Sequence, residues 1–532
     1  MSQFQLAAIP ETKIPLKEIF DRIQSNEEGD SIEKKKNDIE TILKNTLAAE
    51  YKGKENELIS DTLDALLAVN AELEHTLMIQ YLFAAYSIKL DADVSADSAI
   101  SNEDLVNWQM QLLGVAREEM GHLMIVQNIR KSLGFVLHFE MNQLVDYLDL
   151  FPYTLKLHRL SLETLASYIY AESPLGWFND EKHHDAIDKK ILEYVAQKIE
   201  ASSSSEALKL FKNRKSTSSA AEIIGTVASQ GINVAGLFTI IIFFIEHFME
   251  EHHFSVASVY QQAKADQWNR GYVATERKIT IDTTEKSIPS SKVLVHHLLS
   301  KWECLEAIKD VAEQGENTSD LNDPNTHFCR FKTIFKQLLT VNLNLVIKDI
   351  ASQPAVPSNV PKKTHTPRIL QTLSAIAAGK PSDISEKVSV ASTKITHKTT
   401  LHWAEIANIH YTLLLTFVGH SFHIEPNHQN ASESLRGLII NSSFTEMYNL
   451  KALSEILTTL PVATEKGQRA GLPFQILNID SNLNFIAKET FLLEKSNKHI
   501  DLLLQDSNLL EQQKKYLKKL RSLNVDLLQK LH

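Results

Sequence analysis

The chain has 532 residues, 43% hydrophobic and 23% charged, a composition that buries a large core and excludes a disordered polymer. Its net charge of −11 comes without a basic stripe, so nucleic acid is not an expected partner, because phosphate binding needs clustered Lys and Arg. Two cysteines, Cys304 and Cys329, are too few for a disulfide framework or a thiolate metal site.

Glycine is scarce, 16 in 532, while Leu, Ala, Glu and Lys dominate, which predicts a mainly helical chain. Met1 to Pro10 lacks the basic-then-apolar pattern of a signal peptide, so a reducing cytoplasm is the expected compartment. Residues 1–55 are charged and irregular, with lysines at 34–36, and read as an N-terminal extension. From Asn56 to Ile88, Ile59, Leu63, Leu66, Leu67, Leu73, Leu77, Tyr81 and Ala85 recur at helical spacing. After the polar stretch Asp91–Asn102, a second long helix is predicted over Leu105–Leu133, with Gly134 as its C-terminal cap. Two long helices with a short join should lie antiparallel.

Residues 135–222 read as a crossover with a turn at Phe151-Pro152-Tyr153, a helix over Leu162–Tyr170 and a loop at Ser202–Ser205. Ile223–Ile245 is uncharged and long enough to test as a membrane span. Its first half holds Thr226, Ser229, Gln230, Gly231 and Asn233, and no aromatic or basic anchors flank it, so a buried helix over Ile232–Gln262 is expected instead. Lys278–Ile281 reads as a short strand, Lys292–Glu316 as a helix, Asn317–Asn325 as a loop and Thr326–Asn344 as a helix. The expected organisation is a metal-binding bundle over 56–345 with an insertion at 135–290, a Pro/Ser/Thr/Lys linker at 346–400 and a C-terminal helical domain at 401–532. Its last part, Glu489–His532, reads as a Leu/Lys/Gln-rich helix pair.

The informative acids and histidines are those on apolar helix faces. In the first helix the stripe runs Leu67, Asn70, Glu74, Leu77, Tyr81, Ala85; in the second it runs Leu112, Val115, Glu119, His122, Val126, Ile129. Glu119 and His122 are three apart and project to one side. A buried carboxylate needs a proton, a partner or a cation, and a divalent metal serves several at once. Glu74 and Glu119 lie equally far from the join, so an antiparallel pair brings them to one height. Further on, Leu305, Ile308, Ala312 and Glu316 form a stripe that closes on an acid, with Glu313 nearby as ligand or imidazole-orienting acceptor. His327, Phe331, Ile334 and Leu338 open the next stripe on a histidine. Two hairpins carrying acid and imidazole at matched height describe a two-metal bundle site, and oxygen and nitrogen donors without thiolate suit iron or manganese.

Glu246, Glu250 and His253 form a rival cluster that could replace Glu316 and His327; the polar end of a core helix is its plainer reading. Tyr81, seven after Glu74, is the candidate catalytic residue as a redox-active phenol, or else a core aromatic. Glu72, Glu118 and Glu140 read as surface acids, and His183-His184 and His296-His297 as surface pairs.

Ala71-Glu72-Leu73-Glu74-His75 with Tyr81-Leu82 and Tyr86-Ser87-Ile88 resembles the first helix of a bacterial ferritin-like family. Arg117-Glu118-Glu119-Met120-Gly121-His122-Leu123 is similar to its second, and Glu313-Gln314-Gly315-Glu316 and Thr326-His327-Phe328-Cys329-Arg330-Phe331 to later segments. The family includes the ferritin-like region of iminophenyl-pyruvate dimer synthase, from violacein-type biosynthesis. Ferritins likewise place a Glu seven before a Tyr on the first helix and Glu-x-x-His on the second. The C-terminal stretches Ala404–Leu415, Leu453–Pro461 and Ala470–Phe474 resemble the same family. Departures are Ile79-Gln80, where members commonly have two prolines, Asn317, where they have Gly, and a poor match over 176–300.

The resemblance implies an all-α, ferritin-like four-helix bundle and an oxidoreductase with two iron ions, dioxygen as co-substrate and a small, amino-acid-derived organic substrate. Competing expectations are a ferroxidase or iron-binding protein, and a helical scaffold that has lost its metal. The C-terminal helical region is the expected surface for a homodimer or a pathway-enzyme partner.

Overall fold

The computed structural model describes residues 14–26, 30–47, 57–90, 100–139, 157–177, 184–201, 232–255, 260–268, 298–316, 323–351, 395–424, 434–463, 467–480 and 482–531, the strands 277–281 and 284–288, and residues 153 and 295. The expected loop Ser202–Ser205, the rest of the crossover over 206–222, and the linker over 352–394 lie outside them.

Two helices, α1 (Leu16–Gln24) and α2 (Ile32–Leu47), precede the long pair α3 (Leu58–Tyr86) and α4 (Asn102–Ser132). Ser101 and Asp104 cap the start of α4 reciprocally, and Gly134, at φ +77°, follows its last turn. The pair is antiparallel, since Gln109 bonds the Ala85 carbonyl, His122 meets Glu74 and Arg130 pairs with Asp64. The crossover carries α5 (Leu162–Ala171) and α6 (Ala186–Ala201). The second of these was not expected; Asp185 starts it by accepting from the Ile187 and Asp188 amides. Then come α7 (Val234–His247), α8 (Lys301–Glu316) and α9 (His327–Leu338); α9 packs on α5, and α8 on α7 and α4. The result is the expected mainly helical bundle with a crossover insertion.

Three expected helices are shorter than the apolar pattern suggests, each because a side chain captures the backbone. α7 ends at His247, and the Glu250 amide donates to His253 Nδ1 at 2.8 Å instead of continuing the helix. α8 begins only at Lys301, because the Leu298 amide is held by Gln262 at 2.8 Å and Ser300 caps Glu303. α9 ends at Leu338, and Asn342 starts a separate turn over Leu343–Val346. Among the described residues no helix is long and apolar enough to cross a membrane; α7 has 14 residues.

The C-terminal helices are α10 (Lys398–Ser421), α11 (Leu435–Leu457), α12 (Phe485–Leu504) and α13 (Glu511–Leu531). α10 packs on α11 and α12, and α12 on α13. Among the described residues the strands are two short pairs: β1 (Arg277–Ile281) with β2 (Thr284–Ile288), antiparallel, and β3 (Ile350–Ala351) with β4 (Arg469–Ala470), parallel. The buried Arg436 guanidinium joins α11 to the first half of the chain by donating to the Gln262 carbonyl at 2.6 Å and the Tyr260 carbonyl at 3.2 Å.

α3 is buried nearly all round, and Tyr411 of α10 reaches its side away from the bundle axis. His75 on that side is fully buried, with Nε2 bonded to the Tyr411 hydroxyl and Nδ1 without a partner. Burial pushes its pKa down to about 3, so the ring folds neutral. The unfolded chain takes up this proton near the ordinary value, and stability therefore falls by about 1.4 kcal/mol per pH unit below about pH 6.5 on account of this one group. Denaturant unfolding of the parent should steepen with acid by one proton relative to His75→Gln; equal pH slopes would remove His75 from the account.

Candidate metal centre

Five side chains from four helices meet in the interior. Glu74 comes from the middle of α3, Glu119 and His122 from the middle of α4, Glu172 from the C-terminal cap of α5, and His327 from the first residue of α9. All five are buried. They form two overlapping groups, Glu74–Glu119–His122 and Glu119–Glu172–His327, each with donor atoms within 4.8 Å of one another, and Glu119 is common to both.

Each imidazole turns Nδ1 inward because its other nitrogen is held from outside. His122 Nε2 meets Gln314 Oε1 at 3.0 Å, while Nδ1 lies 3.2 Å from Glu119 and 3.4 Å from Glu74. His327 Nε2 meets Glu118 Oε2 at 3.0 Å, and Nδ1 lies 2.9 Å from Glu119 Oε1 and 3.5 Å from Glu172. An Nε2–H donated outward leaves the Nδ1 lone pair for a metal. The carboxylates are braced too: Asn70 donates to Glu74 at 2.9 Å, the Tyr81 hydroxyl donates to Glu172 Oε1, and Arg330 pairs with Glu118 at 2.8 Å.

Burial and close-set charges shift the proton affinities of the cluster. Burial pushes the Glu119 carboxyl well above the usual carboxylate range, and the charges of Glu172 and Glu74 add to it. Burial alone would depress His327, but Glu119, Glu118 and Glu172 outweigh it and hold the ring well above its ordinary value. His122 is raised in the same way by Glu74 against burial. Glu118 is held low despite its burial, because His327 and Arg330 hold its charge.

These residues fit a pair of divalent ions. Glu119 Oε1 and His327 Nδ1 are 2.9 Å apart in the interior, yet neither has a well-formed hydrogen bond. Two buried ligand atoms left this close without a hydrogen bond are what a shared cation would satisfy. The backbone also leaves room here: a Cβ on Gly315 would stand 3.3 Å from Glu172 Oε2 and 3.9 Å from His327 Nδ1. Gly315→Ala should therefore push the Glu172 carboxylate aside while leaving His327 in ordinary contact. We expect binding of the second ion to weaken by about tenfold or more while the first is retained; undiminished loading in a metal titration would contradict this.

The structure brings together Glu74, Glu119, His122 and His327 from the sequence-derived set, with Tyr81 one bond away through Glu172. It does not bring in Glu313, which is exposed on α8. The Glu316 side chain lies outside the described residues. The rival acids and histidine, Glu246, Glu250 and His253, are exposed and take no part. Two readings are corrected by burial. Glu118 and Glu72 are not surface acids: Glu118 is fully buried against His327, and Glu72 is buried against His138 at 2.8 Å. His184 is likewise buried, bonded to the Trp177 carbonyl; Glu140, His183, His296 and His297 lie outside the described side chains. Glu172 was missed, although its signal is of the same kind as that of Glu74: Leu165, Tyr168, Ile169 and Glu172 form a buried stripe that closes on an acid.

Carboxylates and imidazoles that could hold metal ions converge between the helices of an antiparallel bundle, an arrangement of the helical-bundle class of proteins. Residues 67–336, which contain all five converging residues, match the family model described as Ferritin-like, and the chain belongs to the ferritin-like family. No curated protein and no solved structure matches the chain.

Proposed function

We propose that this protein is a di-iron oxidoreductase that uses dioxygen to oxidise a small, anionic, amino-acid-derived molecule, in the manner of the iminophenyl-pyruvate dimer synthase group that its motifs resemble. The observation that carries the reading is the sharing of Glu119 between two buried carboxylate–imidazole groups. Iron bound there would supply the electrons and open coordination positions that dioxygen needs.

The chain's own contribution is positioning, dryness and proton control. Glu118 with Arg330, and Gln314, fix the two imidazoles. Tyr168 and Phe331 pack against Tyr81 with ring centroids 4.6 Å and 4.8 Å away, sealing the Glu172 side against water. Burial, with Glu172 and Glu119 beside it, keeps the Tyr81 phenol protonated far above its ordinary range, so it holds its proton on Glu172. Three carboxylates against two dications leave one positive charge, and an anionic oxygen donor on the substrate would neutralise it.

Oxygen uptake tests the proposal. The full chain, loaded anaerobically with ferrous iron, should consume dioxygen repeatedly when aromatic amino acids or their oxo- or imino-acid derivatives are supplied. Uptake limited to oxidation of the loaded iron would instead identify an iron-oxidising protein, and absence of iron binding a scaffold.

A further inference from the structure

His402 on α10 and His499 on α12 face each other across the seam between these helices, neither of which contributes a residue to the interior centre. Both are half-buried, so the rings are fixed by packing while solvent reaches them. Their Nδ1 atoms are 3.4 Å apart, with ring centroids at 5.6 Å and planes at 57°. That geometry is poor for the two rings alone. A good hydrogen bond to nitrogen is shorter, at about 2.7–3.2 Å, and the planes are too inclined for stacking. It matches a coordination edge instead: two nitrogens each about 2.0–2.1 Å from a tetrahedral zinc are about 3.3–3.4 Å apart.

From this geometry we infer a second metal site, in which His402 Nδ1 and His499 Nδ1 bind one borderline divalent cation, zinc or copper, with solvent completing the shell. Imidazole nitrogen suits these ions, whereas magnesium and calcium want oxygen. The surroundings keep the ligands ready. Burial lowers both pKa values, that of His499 to about 4, and Lys398 beside His402 and Lys495 beside His499 act in the same direction. No proton then competes for the nitrogens at neutral pH. The same lysines repel any ion held by charge alone, which favours a metal bound through nitrogen donation. A bound ion would clip the N-terminal half of α10 to the C-terminal half of α12.

The site is independent of the interior centre, and a titration of the full chain separates the two. Metal-free protein is titrated with zinc(II) at neutral pH, and bound metal is counted in the parent, His402→Gln, His499→Gln and Glu119→Ala. The inference predicts that each histidine variant loses one zinc equivalent, or binds it at least tenfold more weakly. It also predicts that Glu119→Ala keeps that equivalent and that Glu119→Ala/His402→Gln loses it. Circular dichroism verifies that the variants fold. Zinc should also raise the Tm of Glu119→Ala but not that of Glu119→Ala/His402→Gln, a comparison that stands even if one single variant is unstable. Retention of the parental zinc count in either folded histidine variant overturns the inference.

Discussion

Glu119→Ala should empty both halves of the interior centre at once, whereas Glu74→Ala or Glu172→Ala should each weaken one half more than the other. The asymmetry follows from Glu119 being the acid common to both donor groups. The iron-loaded parent should retain two iron ions per chain after desalting and Glu119→Ala essentially none. Glu119→Gln keeps the volume of the side chain and removes its charge, so it separates ligand loss from a packing defect. Without metal, the glutamine variant should be at least as stable as the parent, because a raised buried carboxyl beside two other acids is itself a source of strain. Glu313→Ala is the control: its exposed side chain makes it neutral for loading. Full metal content in Glu119→Ala would remove the shared-ligand account.

Metal loading should release at least one proton per chain near neutral pH. In the metal-free protein Glu119 and His327 form one buried acid–imidazole pair whose proton affinity is raised, by burial and the neighbouring acids at Glu119 and by the acids around it at His327. A cation replaces what the pair holds. The sign follows: below the raised pKa values metal and protons compete, so affinity rises with pH and levels off once both groups have ionised. With at least one proton displaced, apparent affinity should change about tenfold or more per pH unit on the sloping part. Calorimetric titration in buffers of differing ionisation enthalpy counts the protons directly. Loading without proton release would mean that the site is already ionised, contrary to its packing of three acids.

Why some of this was legible in the residue pattern and some was not can be traced to particular side chains. Glu74, Glu119 and His122 interrupt long apolar stripes on helices of 29 and 31 residues, where periodicity is a strong signal. Glu172 carries the same kind of signal over a ten-residue helix, inside a crossover whose other helix was not anticipated. Glu72 and Glu118 lie off the inward stripe, and an amphipathic reading sends such residues to solvent. That reading assumes one buried face per helix. α3 is buried nearly all round, Tyr411 of α10 reaches its far side at His75, and no local pattern reports a contact 336 positions away. His327 was visible as the opening of a stripe, but its acid neighbours in space, Glu118, Glu119 and Glu172, come from other helices. Spacing along one helix cannot supply such partners: the residue three before His327 is Pro324, so no second Glu-x-x-His exists there.

X-ray absorption at the iron edge, on the full chain loaded anaerobically with ferrous iron, addresses the central claim most directly. The account predicts a shell of oxygen and nitrogen alone, with a second iron about 3.5–4 Å from the first. An isolated iron with no metal neighbour, or one bound by sulfur, would contradict it.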